Sequence, residues 1–224
     1  MTEISIIIPT LNEALNIVDC LKRLETFRGC CEIIVADGGS GDDTAALAVP
    51  HCDQVCMSEP GRARQMNAGA AGATGNYLFF LHADTTLCFN VLSLQEELQA
   101  QPDWGFAPVK LSGEDWRARI IEHFMVRRSA LTGVATGDQL IFVKRSLFEY
   151  LGGFADIPLM EDIEISKRLR RIQAPHILSK PVLTSSRRWE SQGYLKTVAK
   201  MWSLRLAYFL GVTPRLLVQF YYGR

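Results

Sequence analysis

The chain opens on the apolar run Ile4, Ile6, Ile7 and Ile8, closed by Pro9. So short a β-branched run predicts a buried parallel strand over residues 3–9. After a turn at 10–12, Leu15, Val18, Leu21 and Leu24 recur at helical spacing. They predict a helix over 13–27 with all four on one face. The alternation continues with strands over 32–36, 54–57 and 77–81. Between them lie a short helix over 42–48, opened by a Ser/Gly/Asp cap, and a helix over 62–73 rich in small residues. Strand following helix throughout residues 1–84 predicts a right-handed, mostly parallel α/β sheet.

The second half is less regular. Helical patterns cover 90–101, 115–129 and 161–172, and strand patterns cover 105–111 and 139–144. Over 191–210 an amphipathic pattern sets Leu195, Val198, Trp202, Leu206 and Phe209 in one stripe. No repeat, low-complexity segment or linker interrupts the chain. The expected organisation is one domain over 1–190 followed by a helical extension over 191–224.

Composition fits this picture. Hydrophobic residues make up 48% and charged residues 21% of 224, a globular balance with room for one sizeable core. The 24 basic and 24 acidic side chains cancel, which argues against nucleic acid as a partner. The cancellation hides a segregation. Residues 1–100 hold five Lys/Arg against 13 Asp/Glu, and residues 101–224 hold 19 against 11, with no acid after Glu190.

The first residues, Met1-Thr2-Glu3, carry no basic n-region, so the expectation is a cytoplasmic protein. Six cysteines without framework-like spacing read as buried thiols there. His51-Cys52-x3-Cys56 offers half a metal site, with no second ligand pair at a matching spacing. No run reaches the roughly 20 apolar residues that cross a bilayer. The nearest, 201–222, is interrupted by Arg205, Gly211, Pro214, Arg215 and Gln219, and reads as an interfacial or core-packed segment.

Ligands of open parallel sheets bind outside the carboxyl ends of the strands. Four polar motifs fall there: Asn12-Glu13, Asp37, residues 59–65 and His82–Asp84. Gly39-x-Gly41 is no dinucleotide fingerprint, because Thr44 replaces the third glycine and Asp37 opens the loop where a pyrophosphate needs bare N–H groups. An acid at this point suits a base N–H or a ribose hydroxyl; capping of the next helix by Asp37 and Asp42 is the plainer alternative. Asp84, after an apolar strand, suits Mg²⁺ or Mn²⁺ held jointly with diphosphate oxygens, or else simply caps a loop.

Five segments occur in order: Ser5-Ile-Ile-Ile-Pro-Thr-Leu-Asn-Glu13, Val35-Ala-Asp-Gly-Gly-Ser-Gly-Asp-Asp-Thr44, Gly61-Arg-Ala-Arg-Gln-Met-Asn-Ala-Gly69, His82-Ala-Asp84 and Met160-Glu-Asp162. Together they resemble the family 2 glycosyltransferases of the GT-A fold. The Gly-Arg-x-x-Gln-x-Asn, His-Ala-Asp and Arg-Arg-Trp set is similar to a small, single-domain bacterial subgroup. The resemblance runs to about Trp189.

It implies a mixed, mostly parallel α/β sheet flanked by helices, with a nucleotide-sugar half over 1–100 and an acceptor and catalytic half over 101–190. It implies inverting, metal-dependent transfer from a nucleotide-diphosphate sugar, expected to be a UDP-sugar, to an acceptor hydroxyl. Pro9, Glu13 and Asp37 would line the nucleotide pocket, and Asp84 would hold the cation, Mg²⁺ or Mn²⁺. His82 departs from the family's Asp-x-Asp pattern at its first position. Arg62 and Arg64 would sit near the donor, and Asp162 would be the general base. Charge complementing a helix N-terminus is the alternative for Glu161-Asp162.

Arg188 and Trp189 match the end of a Gln-x-x-Arg-Trp motif, whose Gln is Ser185 here, so a processive polymerase is not implied. Trp189 would stack on a sugar or else belong to the core. Gly137-Asp138-Gln139 would line the acceptor side, and His176, after Pro175, is a further metal or diphosphate contact or, more plainly, a structural histidine. Two other functions compete. A nucleotidyltransferase would carry a Gly-rich, basic loop where Thr10-Leu-Asn-Glu13 stands; a non-catalytic nucleotide-binding or membrane-associated regulator would not need Asp162. The acceptor is open between lipid, saccharide and small molecule. The basic, aromatic C-terminal segment suits peripheral contact with an anionic membrane, or a homodimer through the C-terminal helices.

Overall fold

A computed structural model describes residues 3–222, apart from the side chains of Arg188 and Tyr222. The expectation for the Arg188 side chain therefore lies outside the described residues. The isoleucine run forms β1 (Ile4–Thr10), buried along nearly its whole length. Alternation of side chains along a strand divides its residues between two cores. Ile6 and Ile8 join Ile33, Val35 and Phe79 on one face of the sheet, while Ile7 joins Ile34, Leu78 and Phe80 on the other.

β2 (Cys31–Asp37), β3 (Gln54–Met57) and β4 (Tyr77–Phe80) complete a parallel group with β1. α1 (Ile17–Arg23), α2 (Thr44–Ala48) and α3 (Arg62–Gly72) connect them. α1 starts later than the apolar spacing predicts. Residues 13–16 form a turn closed by Glu13 O, which accepts from the Asn16 and Ile17 amides. Leu15 is consequently 95% exposed, not on the core face expected of it.

The predicted strand over 105–111 is two strands in different sheets. β5 (Thr85–Leu87) and α4 (Val91–Leu98) precede β6 (Trp104–Phe106) and β7 (Val109–Leu111). Pro108 lies between the two and has no N–H to continue a ladder. After α5 (Trp116–Thr132) and a one-turn 3₁₀ helix at Gly137–Gln139, β8 (Ile141–Lys144) runs antiparallel to both β4 and β6. α6 (Arg145–Tyr150) and α7 (Glu161–Leu169) follow, then β9 (His176–Ile177) and β10 (Val182–Thr184). The main sheet has the order β3-β2-β1-β4-β8-β6-β9, and β5, β10 and β7 form a small second sheet.

The helix expected over 191–210 is broken. Gly193, at φ 84°, separates α8 (Arg187–Gln192) from α9 (Tyr194–Phe209). α9 buries Tyr194, Thr197 and Leu204, while the stripe read from the sequence faces outward, with Leu195 85% and Phe209 78% exposed. Leu204 and Leu217, the latter from α10 (Pro214–Tyr222), pack on Met160 and Ile163 at the start of α7. No helix among the described residues is long and apolar enough to cross a membrane.

Candidate active site

The carboxyl ends of β1, β2 and β3 lie in register, Thr10 against Asp37 and Asp37 against Met57. Asp37 is fully buried. One carboxylate oxygen accepts from the Gly39 and Ser40 amides at 3.0 and 2.7 Å, and the other from Ser40 Oγ at 2.6 Å and Thr10 Oγ1 at 3.3 Å. Asp37 therefore builds the loop that follows it. Asn12, at φ 56°, locks this loop to the end of β1: its amide donates to Ser40 Oγ and its Oδ1 accepts from the Gly41 amide. The Glu13 amide donates to Thr44 Oγ1 at 2.8 Å, and Glu13 Oε2 accepts from Asn16 Nδ2 at 2.7 Å. Pro9 is half-buried within β1, paired with Ala36.

α3 is anchored by two residues of its motif that received no role in the sequence reading. Gln65 Nε2, buried, donates to the Thr10 and Ala36 carbonyls. Asn67 makes a reciprocal pair with Phe154, at 2.9 Å in each direction. The two arginines of that motif part company. Arg64 forms a bidentate pair with Asp156 at 2.8 and 2.9 Å on an exposed surface. Arg62, at the first turn of α3, brings Nη1 within 3.9 Å of the buried Glu161.

Because β8 runs antiparallel to β4, with Phe80 opposite Ile141, the turn before β8 meets the segment after β4. His82 and Gly137 touch there: a β-carbon on Gly137 would fall 2.6 Å from His82 Cε1. The Gly137 amide donates to Asp162 Oδ2 at 2.9 Å, and the Ile163 amide donates to Asp162 Oδ1 at 2.7 Å. Met160, which precedes this pair of acids, holds φ 70°, a left-handed conformation uncommon for its type and frequent at functional sites.

Burial, reinforced by Glu161, pushes the Asp162 carboxyl up to about 7 against the opposing pull of the two amides and Arg62. Burial, with Arg62 beside it, holds the His82 imidazole well below its ordinary value. Arg62, His82, Gly137, Glu161 and Asp162 thus form one cluster from four separate segments.

Asp84 is exposed and accepts a hydrogen bond from Thr85 Oγ1 at 3.3 Å. Among the described residues no group of three His, Cys, Asp or Glu side chains could hold a metal ion by itself. A lone open carboxylate fits a cation whose remaining ligands are phosphate oxygens and water. Trp189 packs beside Leu111, Ala118 and Tyr194, the core role of the two read from the sequence. Its neighbour Arg187, the first arginine of Arg-Arg-Trp, reaches Asn16 Oδ1 at 3.2 Å and so ties α8 to the Glu13 turn. His176 pairs with Glu97 at 2.8 Å, far from this cluster in function as a strand anchor.

The parallel group with an antiparallel extension, flanked by helices, is the mixed α/β fold of the GT-A glycosyltransferases. S. aureus TarS in complex with UDP superposes with a TM-score of 0.65 at 17% identity, over 83% of this chain and 60% of that one. The mannosyltransferase PcManGT of Pyrobaculum calidifontis, in complex with GDP-Man and Mn²⁺, gives 0.64 at 23% identity, over 92% and 61%. At the level of sequence, the model of glycosyl transferase family 2 matches residues 5–142. The chain belongs to that family. An uncharacterised Mycobacterium tuberculosis glycosyltransferase, Rv1514c, is 32% identical over 165 residues, 68% of this chain and 62% of that relative's length.

Proposed function

We propose that the chain is an inverting, metal-dependent glycosyltransferase that moves a sugar from a UDP-sugar to an acceptor hydroxyl. The observation that carries this reading is Asp162: a carboxylate with a raised pKa, fixed by the Gly137 amide, beside the carboxyl end of the donor-side strands. Inversion requires an acceptor hydroxyl to lose its proton on the face opposite the leaving diphosphate. A carboxyl that titrates near neutral pH is suited to take it. Glu161, paired with Arg62, adds the negative charge that helps keep the Asp162 carboxyl raised.

On the donor side, Pro9, Glu13 and the loop built by Asp37 line the nucleotide, and Arg62 and Arg187, with Arg188 by its place in the motif, would meet the diphosphate. Arg64 would have to leave Asp156 to join them. Asp84 would hold a Mg²⁺ or Mn²⁺ ion, whose charge offsets that developing on the departing diphosphate. The cation in the PcManGT complex and the nucleotide in the TarS complex support this assignment. Trp189 keeps its packing role, with sugar stacking left to its exposed edge.

The outer face of the C-terminal helices belongs to the same proposal. Trp202, Leu206, Phe209 and Phe220 are exposed, and from Arg187 onward seven basic residues face one acid. Such a surface suits peripheral binding to an anionic bilayer, at about 1 kcal/mol per well-placed cation. The donor assignment is tested by titrating UDP with Mn²⁺ against the melting temperature. UDP should stabilise the wild type in a Mn²⁺-dependent way and bind more weakly to Asp84→Ala. Equal stabilisation of both proteins, or none of either, would sink the donor-site reading.

A further inference from the structure

One cation beside Asp162 has no task in the reaction described so far. Arg128 projects from α5, half-buried. Its Nη2 donates to Ser129 Oγ at 2.8 Å and reaches Gln139 Oε1 at 3.5 Å. Its Nε is enclosed and makes no hydrogen bond. Asp138 and Asp162 lie near enough to favour the guanidinium charge, against burial, which disfavours it. Among the described residues neither acid forms an ion pair, and Arg62 is the partner of Glu161. Half-buried charge without a bonded counter-ion is costly, and a bound anion removes the cost.

Gln139 fixes where that anion would sit. The side chain is fully buried, and Oε1 accepts from Ser129 Oγ at 2.7 Å and from the Thr136 amide and hydroxyl at 3.0 Å each. Turning the amide over would set its NH₂ against the Thr136 N–H and the Arg128 guanidinium, so the orientation is determined. Gln139 and Gly137 share one turn, and Gly137 holds Asp162. Arg62 and His82 approach this turn from the donor half, through Glu161 and Gly137. Arg128 approaches it from α5, through Gln139. A second cation near the base, on a different element from Arg62, is available to the molecule that gives up the proton.

We propose that Arg128 forms an anion subsite for the acceptor, and that the acceptor carries an oxyanion, phosphate or carboxylate, close to the hydroxyl that is glycosylated. The word acceptor rests on the glycosyltransferase reading; the anion subsite does not. With Nη2 engaged by Ser129 and Gln139 and Nε enclosed, the Nη1 N–H groups of this charged guanidinium are the donors for either oxyanion.

The test uses the full chain as wild type, Arg128→Gln and Arg127→Gln, the last an exposed neighbour on the same helix. UDP is titrated first in anion-free buffer with Mg²⁺. Inorganic phosphate and acetate are then titrated separately with UDP saturating and ionic strength constant, followed by melting temperature. Wild type and Arg127→Gln should respond saturably to at least one anion, and the tighter anion identifies the acceptor's charged group. Arg128→Gln should bind it at least tenfold more weakly. No saturable response in the wild type, or an undiminished one in Arg128→Gln, overturns the proposal. If Arg128→Gln does not fold, Arg128→Lys keeps the charge and loses the fork; binding several-fold weaker supports the subsite and unchanged binding overturns it. If UDP itself fails to bind, the donor reading falls, while the difference between wild type and the Arg128 variant still decides the subsite.

Discussion

Asp162 joins the local chemistry to two measurable pH dependences. A general base must be ionised to act, so turnover should rise with pH and level off above about 7, where the raised carboxyl has lost its proton. Asp162→Asn should lower kcat by a factor on the order of 10² to 10⁴, the usual worth of a positioned base. Stability should run the other way. The folded-state pKa is raised, so the native protein holds a proton that the unfolded chain has already released. The stabilisation is complete at acidic pH, below the unfolded value, and is lost as pH rises through about 7. Melting temperatures from pH 4 to 8 should therefore slope less steeply downward in Asp162→Asn than in the wild type. Gly137→Ala should also reduce kcat, because its β-carbon must displace His82 and with it the amide that holds Asp162; steady-state kinetics beside a wild-type-like melting curve would check this. Asp37 and Asp84 were legible in the sequence because they follow apolar strands, whereas Asp162 was legible only through the resemblance carried by Met160-Glu-Asp162. Gly137 and Arg128 were not legible as partners, since their roles exist only where β8 folds back along β4.

At the level of elements, the parallel half was readable because β1, β2 and β4 are continuous apolar runs and the segments between the strands carry a periodic stripe, a cap or a run of small residues. α3 gives the clearest energetic prediction. Gln65→Ala removes two buried hydrogen bonds to the carboxyl ends of β1 and β2 and leaves their carbonyls without this donor. It should cost about 1–3 kcal/mol by urea denaturation, and weaken UDP binding by loosening the same loops. The less readable elements are short. β5, β7 and β10 have three residues each and form a sheet whose pairing is entirely long-range. Nothing periodic marks a strand of that length. Pro108 and Gly193 did signal the breaks in the predicted strand and helix; the apolar pattern runs across Pro108, whereas the helical stripe begins only at Leu195, after Gly193. Leu15 shows the opposite error, an apolar residue at the right spacing placed in a turn.

Across the whole molecule, the acidic first half and basic second half meet at one site, with Arg62 and Glu161 drawn from opposite halves. The C-terminal helices connect that site to the outer surface. Their inner side packs on Met160 and Ile163, beside the proposed base, and Lys167 Nζ sits 4.7 Å from the centre of the Tyr208 ring. Removing residues 191–224 would uncover this packing, so truncation is a poor probe of membrane binding. Trp202→Asp with Phe209→Ser changes only the exposed face. The double variant should keep its melting temperature and lose flotation with anionic liposomes; unchanged flotation would leave dimerisation as the use of that face. The central claim is sugar transfer from a nucleotide donor with Asp162 as the base. Release of nucleoside diphosphate and formation of glycosylated product from UDP-glucose, UDP-GlcNAc, UDP-galactose and GDP-mannose, with Mn²⁺ and candidate acceptors, tests it most directly. The account predicts product from a UDP-sugar with the wild type and a loss of at least a hundredfold with Asp162→Asn; product formed equally well by both proteins would contradict it.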